Sequence, residues 1–101
     1  MGRSSKKRRV AIMKYKLEWE RNAAKEFSKL DKFAQKQIQK FLNEVAESEN
    51  PRQQGYGLKH ELSGLWRYDI GAYRVLCEIE DRQLVVIAVR VGHRKNVYKN
   101  F

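Results

Sequence analysis

Near its start the chain alternates hydrophobic with charged residues, in the run KYKLEWE at positions 14–20. Such alternation places Tyr15, Leu17 and Trp19 on one side of an extended backbone, because successive side chains of a strand point to opposite faces. The run therefore predicts a half-buried first strand.

After this strand the spacing of apolar residues becomes helical. Asn22 stands at the expected N-cap of a first helix, which carries apolar residues through to Leu30. Asp31 follows as the expected N-cap of a second helix. The apolar stripe of that second helix consists of Ala34, Ile38, Phe41, Leu42 and Val45. The two segments predict a helical hairpin with a tight joint.

The second half of the chain has the pattern of a sheet. Residues 48–57 (SENPRQQGYG) hold the only proline and predict a loop. Three strands are expected after it, at Leu65–Ile70, Tyr73–Glu80 and Leu84–Val91. The last is apolar almost throughout, which is typical of a strand covered on both faces. The predicted fold is α+β in the order β-α-α-β-β-β, with the helical hairpin packed on a small, mostly antiparallel four-stranded sheet.

A length of 101 residues predicts one domain. Residues 1–12 contain five basic residues and no acidic one, so we expect a basic leader outside the fold, either a tag or a flexible arm, and a domain over residues 13–101. The formal net charge of +10 favours a polyanionic partner: nucleic acid, an acidic membrane surface or an acidic protein. No apolar run is long enough to span a membrane, so a cytoplasmic location is expected.

Several kinds of catalytic site are disfavoured by what the sequence lacks. Two histidines, His60 and His93, and one cysteine show no spacing typical of metal ligands. Phosphate-binding glycine-rich loops and serine-nucleophile motifs are also missing. We therefore expect neither a metal nor a cofactor, and we expect Cys77 to be a small buried hydrophobic residue.

Basic and aromatic residues recur together in the last third of the chain. Arg67 and Arg74 lie within predicted strands, and an arginine there has to point away from the core. A shared positive face would suit RNA, because guanidinium groups bind phosphate and aromatic rings stack on unpaired bases. Taken singly, each strand arginine is better explained as a surface ion pair, and Trp66 and Tyr73 as packing residues. The RNA interpretation depends on their joint arrangement.

Three motifs, in order behind the β-α-α opening, resemble the RelE/ParE superfamily of bacterial toxins and more specifically its RelE branch. They are LSGLWR at 62–67, GAYRV at 71–75 and VRVGHRKNVY at 89–98, and the match runs from Met13 to Tyr98. The resemblance implies the toxin of a type II toxin–antitoxin system. It further implies a ribosome-dependent endoribonuclease that cuts messenger RNA in the A site by attack of a 2′-hydroxyl, without a metal. A cognate RelB-like antitoxin is expected to bind the toxin and neutralise it.

The resemblance also implies roles for individual residues. Arg74 matches the phosphate-binding arginine, Arg94 the arginine that stabilises the reacting phosphate or leaving oxygen, and Tyr98 the aromatic that orients the base or attacking sugar. Arg67 takes a position near the 2′-hydroxyl. Separately, His93 is a candidate general acid or base, because an unperturbed histidine titrates close to neutral pH.

One departure from the RelE pattern leaves the scheme for proton transfer open. Asp69 stands where some RelE toxins have a second lysine, and its opposite charge could pair with a catalytic arginine. Two other functions remain possible on this fold: a ParE-like inhibitor of DNA gyrase without nuclease activity, and a non-catalytic protein that binds RNA or the ribosome. The joint presence of the three arginines and Tyr98 favours the nuclease.

Overall fold

The computed structural model describes residues 15–96, and these form two helices and a five-stranded mixed sheet. The elements are β1 (Lys16–Trp19), α1 (Arg21–Ser28), α2 (Lys32–Glu47), β2 (Tyr56–Gly57), β3 (Trp66–Ile70), β4 (Tyr73–Glu80) and β5 (Val85–His93). The strand order is β1-β5-β4-β3-β2. β1 runs parallel to β5, and the other pairs are antiparallel. The predicted α+β class is confirmed, while the expected leader at 1–12 lies outside the described residues.

The core lies between the apolar stripe of α2 and one face of the sheet. Its fully or almost fully buried members include Ile38, Leu42, Val45, Tyr68, Val75, Cys77, Val86 and Ala88. Tyr68 buries its ring and donates its hydroxyl to the Pro51 carbonyl, and burial raises the pKa of this phenol. Cys77 is fully buried, which confirms it as a small hydrophobic core residue, and burial raises the pKa of its thiol.

The joint of the helical hairpin is tight, as predicted. The Asp31 carboxylate accepts a hydrogen bond from the Ala34 N–H at 2.7 Å and so caps α2. The Gln35 amide donates to the Phe27 and Leu30 carbonyls at 3.1 and 3.0 Å, and this satisfies acceptors at the C-terminal end of α1.

The predicted N-cap of α1 is wrong. The helix begins at Arg21, Glu20 is its N-cap without a side-chain cap, and Asn22 lies inside the first turn. The reason is the adjoining sheet: the Glu20 N–H donates to the Ala88 carbonyl at 2.8 Å, while the Glu20 carbonyl already accepts from the Ala24 N–H at 2.9 Å. Strand pairing therefore fixes the start of the helix ahead of the residue with the better capping side chain.

β5 contains one residue more than its partner across the middle of the ladder. Leu76 of β4 faces Arg90, whereas the next residue, Cys77, faces Ala88, so Val89 is the extra residue of a β-bulge. A bulge reverses the alternation of side chains beyond it. Ala88 points into the core on one side of the bulge, and Arg90 points to the opposite face on the other side.

The free edge of β5 beyond the end of β1 is covered by α1. Glu26 accepts a hydrogen bond from the Val91 N–H at 2.9 Å and forms an ion pair with Arg90 at 3.0 Å. One carboxylate thus satisfies an edge N–H of the sheet and fixes the neighbouring guanidinium.

The sequence pattern missed β2, which adds a fifth strand at the far edge. Tyr56 pairs with Arg67 and Gly57 with Trp66, inside the segment expected to be a loop. The indole N–H of Trp66 donates to the Gln54 carbonyl at 2.6 Å, and this bond holds the incoming chain against β3. A strand of two residues shows no alternation to detect.

Gly55, just before β2, should not tolerate a side chain. Its φ of +85° favours glycine, and a Cβ there would lie 2.3 Å from the Arg67 carbonyl oxygen and 2.6 Å from Trp66 Nε1. We expect Gly55→Ala to lower the free energy of unfolding by more than about 2 kcal/mol, measured by urea denaturation.

Gly64→Ala is the matched control, because Gly64 has a φ of +98° with no atom within 4 Å of the added Cβ. This change carries the backbone strain without the clash, so its loss of stability should be clearly smaller. Equal losses for the two variants would contradict the close packing of Gly55.

Candidate functional site

The side of the sheet away from the hydrophobic core carries a cluster of charged residues. Directly paired residues point to the same face, so the register defines two rows. The first row, from β2 to β5, is Tyr56, Arg67, Leu76 and Arg90; the second is Asp69, Arg74 and Gly92. We call these seven residues the arginine face. Tyr68 and Val75, which alternate with them along the strands, point into the core.

Asp69 holds Arg67 and Arg74 together. Its Oδ2 lies 3.2 Å from Arg67 Nη2, and its Oδ1 lies 2.9 Å from Arg74 Nε. Each arginine side chain is 24 % exposed and that of Asp69 is 39 % exposed, so the cluster is accessible without being fully solvated. Asp69 thus pairs with both arginines, and the two strand arginines share one face, as the sequence suggested.

Arg90 is a third arginine on this face, and sequence reasoning did not single it out. Its side chain is 16 % exposed, and Glu26 pairs with it from α1. Strict alternation from Ala88 would point Arg90 into the core, so only the Val89 bulge brings it to the arginine face. No pattern in the sequence marks that bulge.

The aromatic residues divide into packing residues and one exposed ring. Trp66 and Tyr73 pack against the core, which confirms the packing interpretation. Tyr56 is 58 % exposed on the arginine face, and the Arg67 guanidinium carbon lies 4.9 Å from the centre of its ring. That spacing is a cation–π contact. Because Tyr56 lies in a segment predicted to be a loop, nothing in the sequence marks it as a residue of this face.

Of the remaining predicted site residues, His93 is the last residue of β5, and Arg94 and Tyr98 follow it in the sequence. Arg94 is exposed, and its N–H donates to the Ala72 carbonyl at 2.8 Å, two residues beyond the partner of Arg74. His93 pairs with Tyr73, and their rings are 5.9 Å apart, so His93 lies on the core side of the sheet rather than with Arg74. Its Nδ1 accepts from the Lys95 N–H at 3.2 Å. Tyr98 lies outside the described residues.

Among residues 15–96, no three histidine, cysteine or carboxylate side chains come together as they would around a metal ion. No helix in the same range is long and apolar enough to cross a membrane.

The arrangement of the arginine face can bind an anion. Two guanidinium groups from neighbouring strands converge on the oxygens of a single carboxylate, and a phosphate presents oxygens of the same charge at similar spacing. Arginine is suited to this task because its fork of donors stays charged at any physiological pH.

Comparison with known proteins agrees with this fold. The model of a family described as ParE toxin of type II toxin-antitoxin system, parDE, matches residues 17–98. Toxin RelG of Mycobacterium tuberculosis is 36 % identical over 52 residues, which are 52 % of this chain and 60 % of that relative's length.

Solved structures extend the similarity to about four fifths of the chain. The toxin–antitoxin complex RelBE2 from Mycobacterium tuberculosis contains a chain that superimposes with a TM-score of 0.74 at 26 % identity, over 82 % of this chain and 94 % of that one. The isolated RelE toxin of E. coli gives a TM-score of 0.67 at 30 % identity, over 78 % and 83 % of the two chains.

The order of helices and strands, together with these structural matches, defines a RelE-like toxin fold. Because the family model spans most of its length, the chain belongs to the RelE/ParE superfamily of type II toxin–antitoxin toxins.

Removing the charge of Asp69 should strengthen anion binding at this site. In Asp69→Asn the two arginines lose the carboxylate that competes with an incoming anion. We expect pyrophosphate to bind roughly three- to tenfold more tightly by calorimetry at low salt, the equivalent of one or two surface ion pairs.

Glu18→Gln is the matched control, because it changes the net charge equally at an exposed position on β1. It should leave pyrophosphate affinity almost unchanged. An equal gain in both variants would mean that overall charge, and not the Asp69 contact, governs binding.

Proposed function

We propose that this toxin is an endoribonuclease that cleaves messenger RNA in the ribosomal A site and thereby stops translation. The reaction is attack of a 2′-hydroxyl on the adjacent phosphorus, and it requires no metal because RNA supplies its own nucleophile. The toxin acts in the cytoplasm, where its ribosomal substrate is found.

The observation that carries this proposal is the convergence of Arg67 and Arg74 on one anion, Asp69. In the nuclease the scissile phosphate takes the place of that carboxylate between the guanidinium groups. The similarity to RelE toxins supports the same interpretation. The formal charge of +10 adds a long-range attraction to a polyanionic substrate.

The proposed step forms a bond from the 2′-oxygen to phosphorus and breaks the bond from phosphorus to the 5′-oxygen. It leaves a 2′,3′-cyclic phosphate on one fragment and a 5′-hydroxyl on the other. Arg74 binds the phosphate, Arg67 lies toward the 2′-oxygen, and Arg94 stabilises the charge on the phosphorane or leaving oxygen. Each well-placed donor contributes about 3 kcal/mol to lowering the barrier.

The 2′-oxygen must lose a proton and the 5′-oxygen must gain one. Tyr98 and His93 remain the predicted residues for orienting the substrate and moving these protons. His93 lies on the face of the sheet opposite to Arg74. This position gives little support to a role for the histidine in moving a proton at the phosphate. Arginine is a poor base, so the three arginines are assigned binding and charge stabilisation only.

A second candidate function is inhibition of DNA gyrase without RNA cleavage. The description of the matching family model as a ParE toxin favours it. Such an inhibitor would have no need for arginines that converge on a single anion, so the arginine face supports the nuclease in preference.

The partner that we propose for the toxin is a RelB-like antitoxin. Similar solved structures include the toxin–antitoxin complex RelBE2 of Mycobacterium tuberculosis. An acidic or amphipathic segment that folds on binding would suit the strongly basic surface of this chain.

Replacing either Arg74 or Arg94 by alanine should greatly slow cleavage. We expect Arg74→Ala and Arg94→Ala each to reduce the rate about 100- to 1000-fold, measured by primer extension on a messenger with and without programmed ribosomes. Both variants should retain the fold and the antitoxin complex. Arg82→Ala, in the exposed β4–β5 turn, changes the charge equally and should cut at the wild-type rate.

Cuts within the A-site codon that need both ribosomes and Arg74 would support the nuclease. Full activity in a variant that carries both Arg74→Ala and Arg94→Ala would overturn the assignment of these arginines. An intact messenger at high wild-type concentration would favour the ParE-like alternative, which a gyrase supercoiling assay tests directly. Salt-sensitive RNA binding without cuts would indicate the non-catalytic function.

A further inference from the structure

We propose that Tyr56 is a stacking platform for a base of the bound RNA, next to the phosphate between Arg67 and Arg74. The inference rests on the proposed function in one respect, namely that the ligand is single-stranded RNA. It adds a substrate-binding residue at the far edge of the sheet.

The first support is the position of the ring. Tyr56 lies directly opposite Arg67 in the first row of the arginine face, so both side chains point to the same side of the sheet. Arg67 is in turn joined to Arg74 through Asp69. β2 and β4 are separated by two strand spacings, roughly 10 Å. A ring and a phosphate site so close together fit adjacent nucleotides of one strand.

The second support is exposure. Tyr56 leaves 58 % of its surface in solvent although it is a large aromatic residue in a strand. The other exposed large hydrophobic residues of the described range are Phe33 on α2, at 77 %, and Leu84 in the β4–β5 turn, at 36 %. Neither belongs to the arginine face. An exposed ring beside a phosphate-binding cation is the combination that single-strand binders use, because every base has a face on which to stack.

The third support is the rigidity of the platform. Gly55 admits no Cβ, and a Cβ on Gly57 would lie 3.2 Å from the Trp66 ring, so the backbone on both sides of Tyr56 is packed tightly against β3. The bond from the Trp66 indole to the Gln54 carbonyl fixes the approach to the strand. The Arg67 guanidinium, 4.9 Å from the ring centre, further orients the ring. A ring that is held in place loses little entropy when a base stacks on it.

A fluorescent base analogue tests the platform without requiring cleavage. The probe is a single-stranded 2′-fluoro hexanucleotide that contains 2-aminopurine and cannot be cut, because it has no 2′-hydroxyl. Wild-type toxin and Tyr56→Phe should quench its fluorescence, since both keep the ring. Tyr56→Leu should bind about 10- to 100-fold more weakly and lose the quenching at saturation. Arg74→Ala should weaken binding and keep the quenching at saturation.

Phe33→Leu is the matched control, because it removes an even more exposed ring from a different surface. It should behave as wild type. The proposal is overturned if the wild type does not quench the probe, if Tyr56→Leu binds and quenches as wild type does, or if Phe33→Leu loses as much as Tyr56→Leu.

Primer extension with the same variants separates the two proposals. Tyr56-dependent quenching by a wild type that leaves the messenger intact would refute the nuclease and retain the platform. Cleavage by the wild type, with unchanged affinity and quenching in Tyr56→Leu, would refute the platform and retain the nuclease.

Discussion

The pairing of β5 on both of its edges is the constraint on which the rest of the structure depends. β1, from the start of the described chain, pairs with it in parallel, and β4 pairs with it in antiparallel orientation. Because β1 leads straight into α1, this pairing also sets where the helical hairpin begins. The contact between distant parts of the chain positions the hairpin, and its apolar stripe then covers the core face of the sheet.

Placing several arginines on one small surface costs free energy through mutual repulsion, and the fold offsets that cost with two carboxylates. Asp69 lies between Arg67 and Arg74, while Glu26 pairs with Arg90 from a helix. The two acids differ in their surroundings. Glu26 also binds a backbone N–H of the sheet, so it is part of the architecture. Asp69 contacts side chains of the site and is better placed to yield to an incoming anion.

The sequence predicts the elements that depend on local periodicity. It does not predict the features that depend on which residues pair across the sheet. The α2 stripe, the Asp31 cap and the strand Tyr73–Glu80 follow from spacing and side-chain chemistry, and the structure confirms them. The start of α1, the short strand β2 and the Val89 bulge depend on which residues meet across the sheet. Those pairings place Arg90 and Tyr56 on the arginine face with Arg67. Two of the four residues in the first row of that face therefore could not be predicted from the sequence.

Glu26 also has a consequence for how the sheet can grow. A strand edge with unbonded N–H groups is a template on which another chain can add a strand. The N–H of Val91 already donates to the Glu26 carboxylate of α1. The helix therefore prevents another chain from pairing with β5 beyond β1 at this residue. At the opposite margin, β2 offers only two residues. Among residues 15–96, β5 beyond β1 thus ends in a carboxylate and β2 at the far margin is very short, so neither offers a long template on which another chain can add a strand.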